Sequence, residues 1–161
     1  LTPIADLKKI AEKLAIKVDP KWITGKLAEE IFENVARHEL IEPTFVMGFP
    51  VDTSPLVRAH RDLPGVAEKW DLYIDGFELA TGYSELIDPV IQRERLIEQA
   101  ALGSKGDLEA MQIDEDFLRA MEYAMPPMGG MGMGADRLLM ALTGLGIRET
   151  ILFPLVKPEE S

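Results

Sequence analysis

The chain has 161 residues, 47% hydrophobic and 28% charged, enough for one globular domain with a sizeable core. It has no cysteine and two histidines, His38 and His60, which excludes a disulfide framework and a thiolate zinc site and argues against a histidine zinc centre. The net charge of −11 argues against a nucleic-acid grip, so any RNA-handling module is expected elsewhere.

"TPIADLKKIAEKLAI" predicts a first helix, with Thr2 at its cap, Pro3 at its first position and Asp6 in its first turn. Ile4, Leu7, Ile10, Ala11 and Leu14 form its apolar stripe. Leu27, Ile31, Phe32, Val35 and Leu40 mark a second helix over about 25–38. "PTFVMGFP" is a short strand bracketed by prolines, and "DTSPLVRAHRD" is an irregular polar segment. "KWDLYIDGFELATGYSEL" reads as a hairpin. "DPVIQRERLIEQAALG" is a helix opened by Asp88 and Pro89 and closed by Gly103. "DEDFLRAMEYAM" is another helix, stopped by Pro126 and Pro127. A glycine run follows, then a helix over about 136–143 ending at Gly144, and "ETILFPLV" as a short closing segment. Helices and strands mix without strict alternation, which predicts an α+β fold: an antiparallel sheet flanked by helices, read as a single domain over 1–161.

Asp75-Gly76 between strand-like runs is a two-residue hairpin signal. It pairs Ile74 with Phe77, Tyr73 with Glu78, Leu72 with Leu79 and Asp71 with Ala80. One face then carries Leu72, Ile74, Phe77 and Leu79, expected in the core; the other carries Asp71, Tyr73, Glu78 and Ala80. Asp71 and Glu78 become diagonal neighbours about 7–8 Å apart, suited to a magnesium ion that brings phosphates with it, or else two incidental acids on a solvated face. Thr81, Tyr83 and Glu85 alternate as a polar row. Glu78 joins that row only if the strand holds one extra residue, which predicts a β-bulge near 80–82. Glu85 beside Tyr83 suits a ligand ammonium, or is an edge glutamate facing water.

In "GGMGMGADR", Gly130, Gly132 and Gly134 recur at period two and predict a bare strand face, with Met131 and Met133 as core fillers behind it. Arg137 falls in the first turn of a helix, where its charge opposes the dipole unless an anionic ligand binds there. The other reading is a tight sheet-to-helix junction with Arg137 paired to an acid. The run is neither a phosphate loop nor a dinucleotide fingerprint.

"GMGMGADRLLMALTG" resembles motif 3 of the class II aminoacyl-tRNA synthetases. "PTFVMGFPVDTSPL", "FELATGYSELIDP", "EDFLRAMEYAMPP" and "IRETILFPLVKP" resemble the lysyl branch of that family. The resemblance runs from the first helices to Pro158 and implies ATP-dependent activation of lysine and its transfer to tRNA(Lys) by a parent that is a homodimer. By position it implies that Asp71 and Glu78 hold Mg2+ and the ATP phosphates, and that Arg137 contacts ATP with a catalytic role shared by Glu78. Thr81, Tyr83 and Glu85 would line the lysine pocket, with Gly132 and Gly134 as the floor under lysine and adenosine. Asp71 stands where the family usually has Glu, and Thr81 where it usually has Asn. Nothing resembles motif 1, motif 2 or the anticodon-reading OB-fold, and the chain opens on Leu1 rather than Met. It therefore reads as the C-terminal part of a catalytic domain, inactive alone. A lysyl-adenylate-forming paralogue acting on a protein or lipid, and a non-catalytic module of the same fold, are the alternatives. No signal peptide and no transmembrane run are present, so a cytoplasmic location without membrane contact is expected.

Overall fold

The computed structural model describes residues 2–104 and 111–155. Helix α1 (Ile4–Lys13) starts one residue later than expected, with Pro3 in the capping position and no side-chain cap, so Thr2 does not serve as one. Its stripe is also narrower: Leu7 and Ala11 are buried, while Ile10 and Leu14 are exposed. Leu7 and Ala11 meet Leu27 of α2 (Thr24–Val35), with Trp22 and Ile31 packed around them. Helix α2 ends three residues short of expectation, and Arg37–Glu39 is a tighter 3-10 turn. The cause is tertiary: the chain turns so that the Ile41 and Leu40 carbonyls accept from the Asp75 and Gly76 amides at the hairpin tip.

Four antiparallel strands follow in the order of the chain: β1 (Thr44–Met47), β2 (Lys69–Ile74), β3 (Phe77–Ser84) and β4 (Gly129–Met133). Asp75 (φ 50°) and Gly76 (φ 73°) both sit at positive φ, the conformation that a type I′ turn demands. The start of helix α3 (Pro89–Gly103) is capped as its sequence predicts, the Asp88 carboxylate accepting from the amides of Val90 (2.9 Å) and Ile91 (3.2 Å), but Gly103 is its last helical residue and not the stop, the cap position falling on Ser104 in a right-handed conformation. Helix α4 (Glu115–Met121) is shorter than its apolar pattern suggests; its Leu118 and Met121 join Leu96 of α3 in a second core cluster. Helix α5 (Ala135–Thr143) ends at Gly144 in the left-handed region (φ 72°), and α6 (Ile147–Thr150) follows. Residues 156–158 of the closing stretch lie outside the described residues. Among the described residues no helix is long and apolar enough to cross a membrane. The architecture is α+β, an antiparallel sheet with helices around it, as the mixed pattern predicts.

Candidate active site

The type I′ turn fixes Ile74 against Phe77 and Tyr73 against Glu78. The next pairs are Leu72 with Ala80 and Asp71 with Thr81, so Leu79 is an extra residue. The strand is therefore bulged, one residue before the expected span. Gly82 is not free to take that role, because the Trp70 indole lies where a Cβ at Gly82 would stand. The correction to the expected ladder matters for function. Glu78 and Thr81, three apart, come to one face with Lys69, Asp71, Tyr73 and Tyr83. Strand β4 continues that face, with Gly132 opposite Thr81 and Gly130 opposite Tyr83. A side chain at Gly130 would run into the Glu85 carboxylate, so Glu85 reaches over the glycine floor. Gly134 lies past the strand as the N-cap of α5, so the bare floor is two glycines long, not three.

Burial differs from the simple two-faced picture. Tyr73 (2% exposed) and Asp71 (3%) on the polar face are deeper than Leu72, Ile74 and Phe77 behind them, which are only half-buried. Helix α2 is the reason: Phe32 meets the Tyr73 ring edge-on at 5.7 Å, and Glu33 accepts from the Tyr73 hydroxyl at 3.2 Å. Met131 (65% exposed) and Met133 (45%) share the opposite face with Phe45 and Met47 and are not core in this chain.

Helix α5 is tied to the bulge through backbone carbonyls. The Leu79 carbonyl accepts from Gly134 N (3.1 Å), and the Glu78 carbonyl accepts from Arg137 Nη1 (2.6 Å). Arg137 also lies 4.0 Å from the Glu78 carboxylate, a loose ion pair at a half-exposed position. The acid-paired reading of Arg137 is thus present in the geometry. It coexists with exposure that leaves the guanidinium accessible to an anion.

The face carries more negative charge than its own cations balance. Burial pushes the Glu78 carboxyl above the usual range, and the neighbouring Asp71 pushes it further, against the pull of Arg137 and Lys69. Burial likewise raises Glu85, and it raises the Tyr83 hydroxyl with help from Glu85. Asp71 Oδ1 and Thr81 Oγ1 are buried without a hydrogen-bond partner. Unpaired buried oxygens are costly, and both lie on the face where a ligand would satisfy them. Among the described residues no set of three or more His, Cys, Asp or Glu could hold a metal. Asp71 and Glu78 alone suit a hard cation that keeps waters and takes its other oxygens from phosphates.

Residues that the sequence reading passed over hold the loop that meets Glu85. Buried Gln92 of α3 donates to the Pro55 carbonyl (3.1 Å), and Arg95 donates to the carbonyls of Ser54 and Val57. That loop bridges to β3, pairing Val57 with Glu85 and receiving Leu86 N on the Leu56 carbonyl. A polar residue on the apolar side of a capped helix, here Gln92, was the available signal. A cavity of about 560 Å³ opens at the far end of the sheet, lined by Met47, His60, Arg61, Trp70 and Ser84. It shares Lys69 and Tyr83 with the candidate face but none of that face's carboxylates.

Paired carboxylates, an accessible arginine on a helix start and a side-chain-free floor under a raised glutamate form a face suited to a phosphate ester beside an ammonium. The family model of class II tRNA synthetases (D, K and N) matches residues 5–157, and the chain belongs to that family. It is 70% identical over 158 residues to a lysine–tRNA ligase of Kineococcus radiotolerans, covering 98% of this chain and 32% of that relative. A lysine–tRNA ligase of Mycobacterium tuberculosis is 56% identical over 166 residues, 99% of this chain and 33% of its own length. The lysylphosphatidylglycerol biosynthesis bifunctional protein LysX of Nocardia farcinica is 52% identical over 157 residues, 98% of this chain and 14% of its own length. The chain therefore spans only about a third of the ligases it resembles.

Proposed function

We propose that this chain carries the lysine- and ATP-binding face of a lysine–tRNA ligase, the C-terminal, motif 3-bearing part of its catalytic domain. The observation that carries the reading is the bulge at Leu79, which aligns Glu78 with Thr81, Tyr83 and Glu85 over the floor of Gly130 and Gly132. Glu85 binds the lysine side-chain ammonium, and Thr81 and Tyr83 line the pocket. Asp71 and Glu78 hold magnesium, which supplies charge neutralisation at the ATP phosphates when bound. The partnerless Asp71 Oδ1 and the mutual repulsion at Glu78 fit that role. Arg137 and Gly134 meet the nucleotide. The reaction is attack of the lysine carboxylate on the α-phosphorus: one O–P bond forms, the bond to pyrophosphate breaks, and lysyl-adenylate results. The protein's part is to position and to balance charge. Transfer to tRNA(Lys) in the cytoplasm, by a homodimeric full-length enzyme, completes the proposed activity.

The test is lysine-dependent ATP–pyrophosphate exchange by the full-length protein. Wild type is expected to exchange, and Glu85→Gln is expected to raise the KM for lysine by tenfold or more (about 2 kcal/mol of lost ion pairing) with the KM for ATP little changed. Equal effects on both substrates would remove Glu85 from the lysine pocket. The similarity to the Nocardia farcinica protein favours a second reading, a lysyl-adenylate-forming ligase of a lipid-modifying protein. Labelled lysine recovered on tRNA or on lipid after incubation with both acceptors separates the two.

A further inference from the structure

Lys69 Nζ lies 3.0 Å from Asp71 Oδ2 and 4.0 Å above the centroid of the buried Phe49 ring. The ammonium is held from two sides, with the Lys69 side chain 23% exposed and that of Asp71 5% exposed. It occupies one oxygen of Asp71 and leaves the other, Oδ1, buried and unpaired. Lys69 shares the ligand face with Asp71, Tyr73, Thr81 and Tyr83, and its charge also acts on Glu78. Arg137 stands at the Glu78 end of the same carboxylate pair.

We propose that Lys69 is a positioning residue that aims Asp71 Oδ1 at the metal site and, as a fixed counter-ion, makes the divalent cation load with the nucleotide and not alone. The inference rests on the reading of Asp71 and Glu78 as metal ligands. A cation one carboxylate away opposes a bare dication in this half-buried setting. The phosphates of ATP bring enough negative charge to offset that repulsion, and they gain from the same ammonium. A metal–nucleotide complex is therefore favoured over free metal. The dyad stays neutralised while the site waits, which limits futile metal binding.

Mn2+ binding to the full-length protein, read by the paramagnetic signal of the free ion with and without ATP, tests this directly. Lys69→Met keeps the stem against Phe49 and removes the charge. It is expected to bind Mn2+ alone at least about fivefold tighter than wild type, and Mn2+–ATP no tighter. Lys69→Arg, which retains the charge, is expected to match wild type in both. Loss of structure does not tighten metal binding, so the gain distinguishes the role from mere support. A change below about twofold in Lys69→Met, or the same gain in Lys69→Arg, overturns the proposal. If Lys69→Met does not fold, wild type decides: Mn2+ bound as tightly without ATP as with it overturns the proposal. If wild type binds Mn2+ in neither condition, the assignment of Asp71 and Glu78 as metal ligands fails first and takes this inference with it.

Discussion

Glu85 is held where its charge is disfavoured until a cation arrives. Burial raises its carboxyl above the ordinary glutamate range, so the proton is held to a higher pH than on a free glutamate. Its contribution to stability is accordingly present below the unfolded-state value and lost as pH rises through the folded-state value. Lysine binding has the opposite sign, because the ammonium needs the ionised form. Calorimetric lysine affinity of the full-length protein is expected to be flat near neutrality and to fall on acidification at a pH above the ordinary glutamate value of about 4.3. Glu85→Gln is expected to bind weakly with no such step; a step that survives the substitution assigns it to another group. Gly130 makes a second case. A methyl there meets the Glu85 carboxylate, so Gly130→Ala is expected to lower lysine affinity roughly tenfold with little change in melting temperature. Unchanged affinity would separate the floor from the pocket.

The bulge is the element on which the face depends. Two constraints set it: the Asp75–Gly76 turn holds one end of β3 in register, and β4 holds Thr81 opposite Gly132 at the other. The extra residue has to fall between Glu78 and Ala80, and the Arg137 guanidinium and the Gly134 amide then take up the carbonyls there. The turn was legible because Asp-Gly chemistry is local, and the need for a bulge was legible from the odd spacing of Glu78 and Glu85. Its position was not, because the glycine at 82 serves packing. The Trp70 ring occupies the space a side chain at Gly82 would need. Gly82→Ala is expected to destabilise the fold by about 1–3 kcal/mol, measured by urea unfolding, since the indole has to move to admit a methyl. A cost below about 0.5 kcal/mol would show that Trp70 shifts freely.

Among the described residues, two small core clusters sit in the α1–α2 and α3–α4 helix pairs, and one sheet face stays open with Phe45 60% and Met47 74% exposed. The span of about a third of the related ligases supports the proposal that the active site is completed by residues outside these 161. The isolated chain is expected to show no lysine-dependent ATP–pyrophosphate exchange under conditions where the full-length protein does. Exchange by the purified chain would show that Arg137, Asp71 and Glu78 suffice.

Much of the local structure follows from residues adjacent in the chain. The Asp88 cap, the Asp75–Gly76 turn and the Gly144 stop each depend on neighbours within a few positions, and each stands as read; of the glycine run, Gly130 and Gly132 lie in the strand and Gly134 does not. Depth depends on what lies across space. Periodicity assigned Leu72 and Ile74 to the core and Tyr73 to the opposite, polar face, yet α2 covers Tyr73 and nothing among the described residues covers the methionines of β4. The Lys69–Asp71 pair needed side-chain geometry over Phe49, and the support of Glu85 by Gln92 and Arg95 needed the docking of α3 on a loop more than 30 residues earlier. Short-range torsional and capping preferences are written in adjacent residues. Burial, charge balance and the phase of a bulged strand are set only when distant segments pack together.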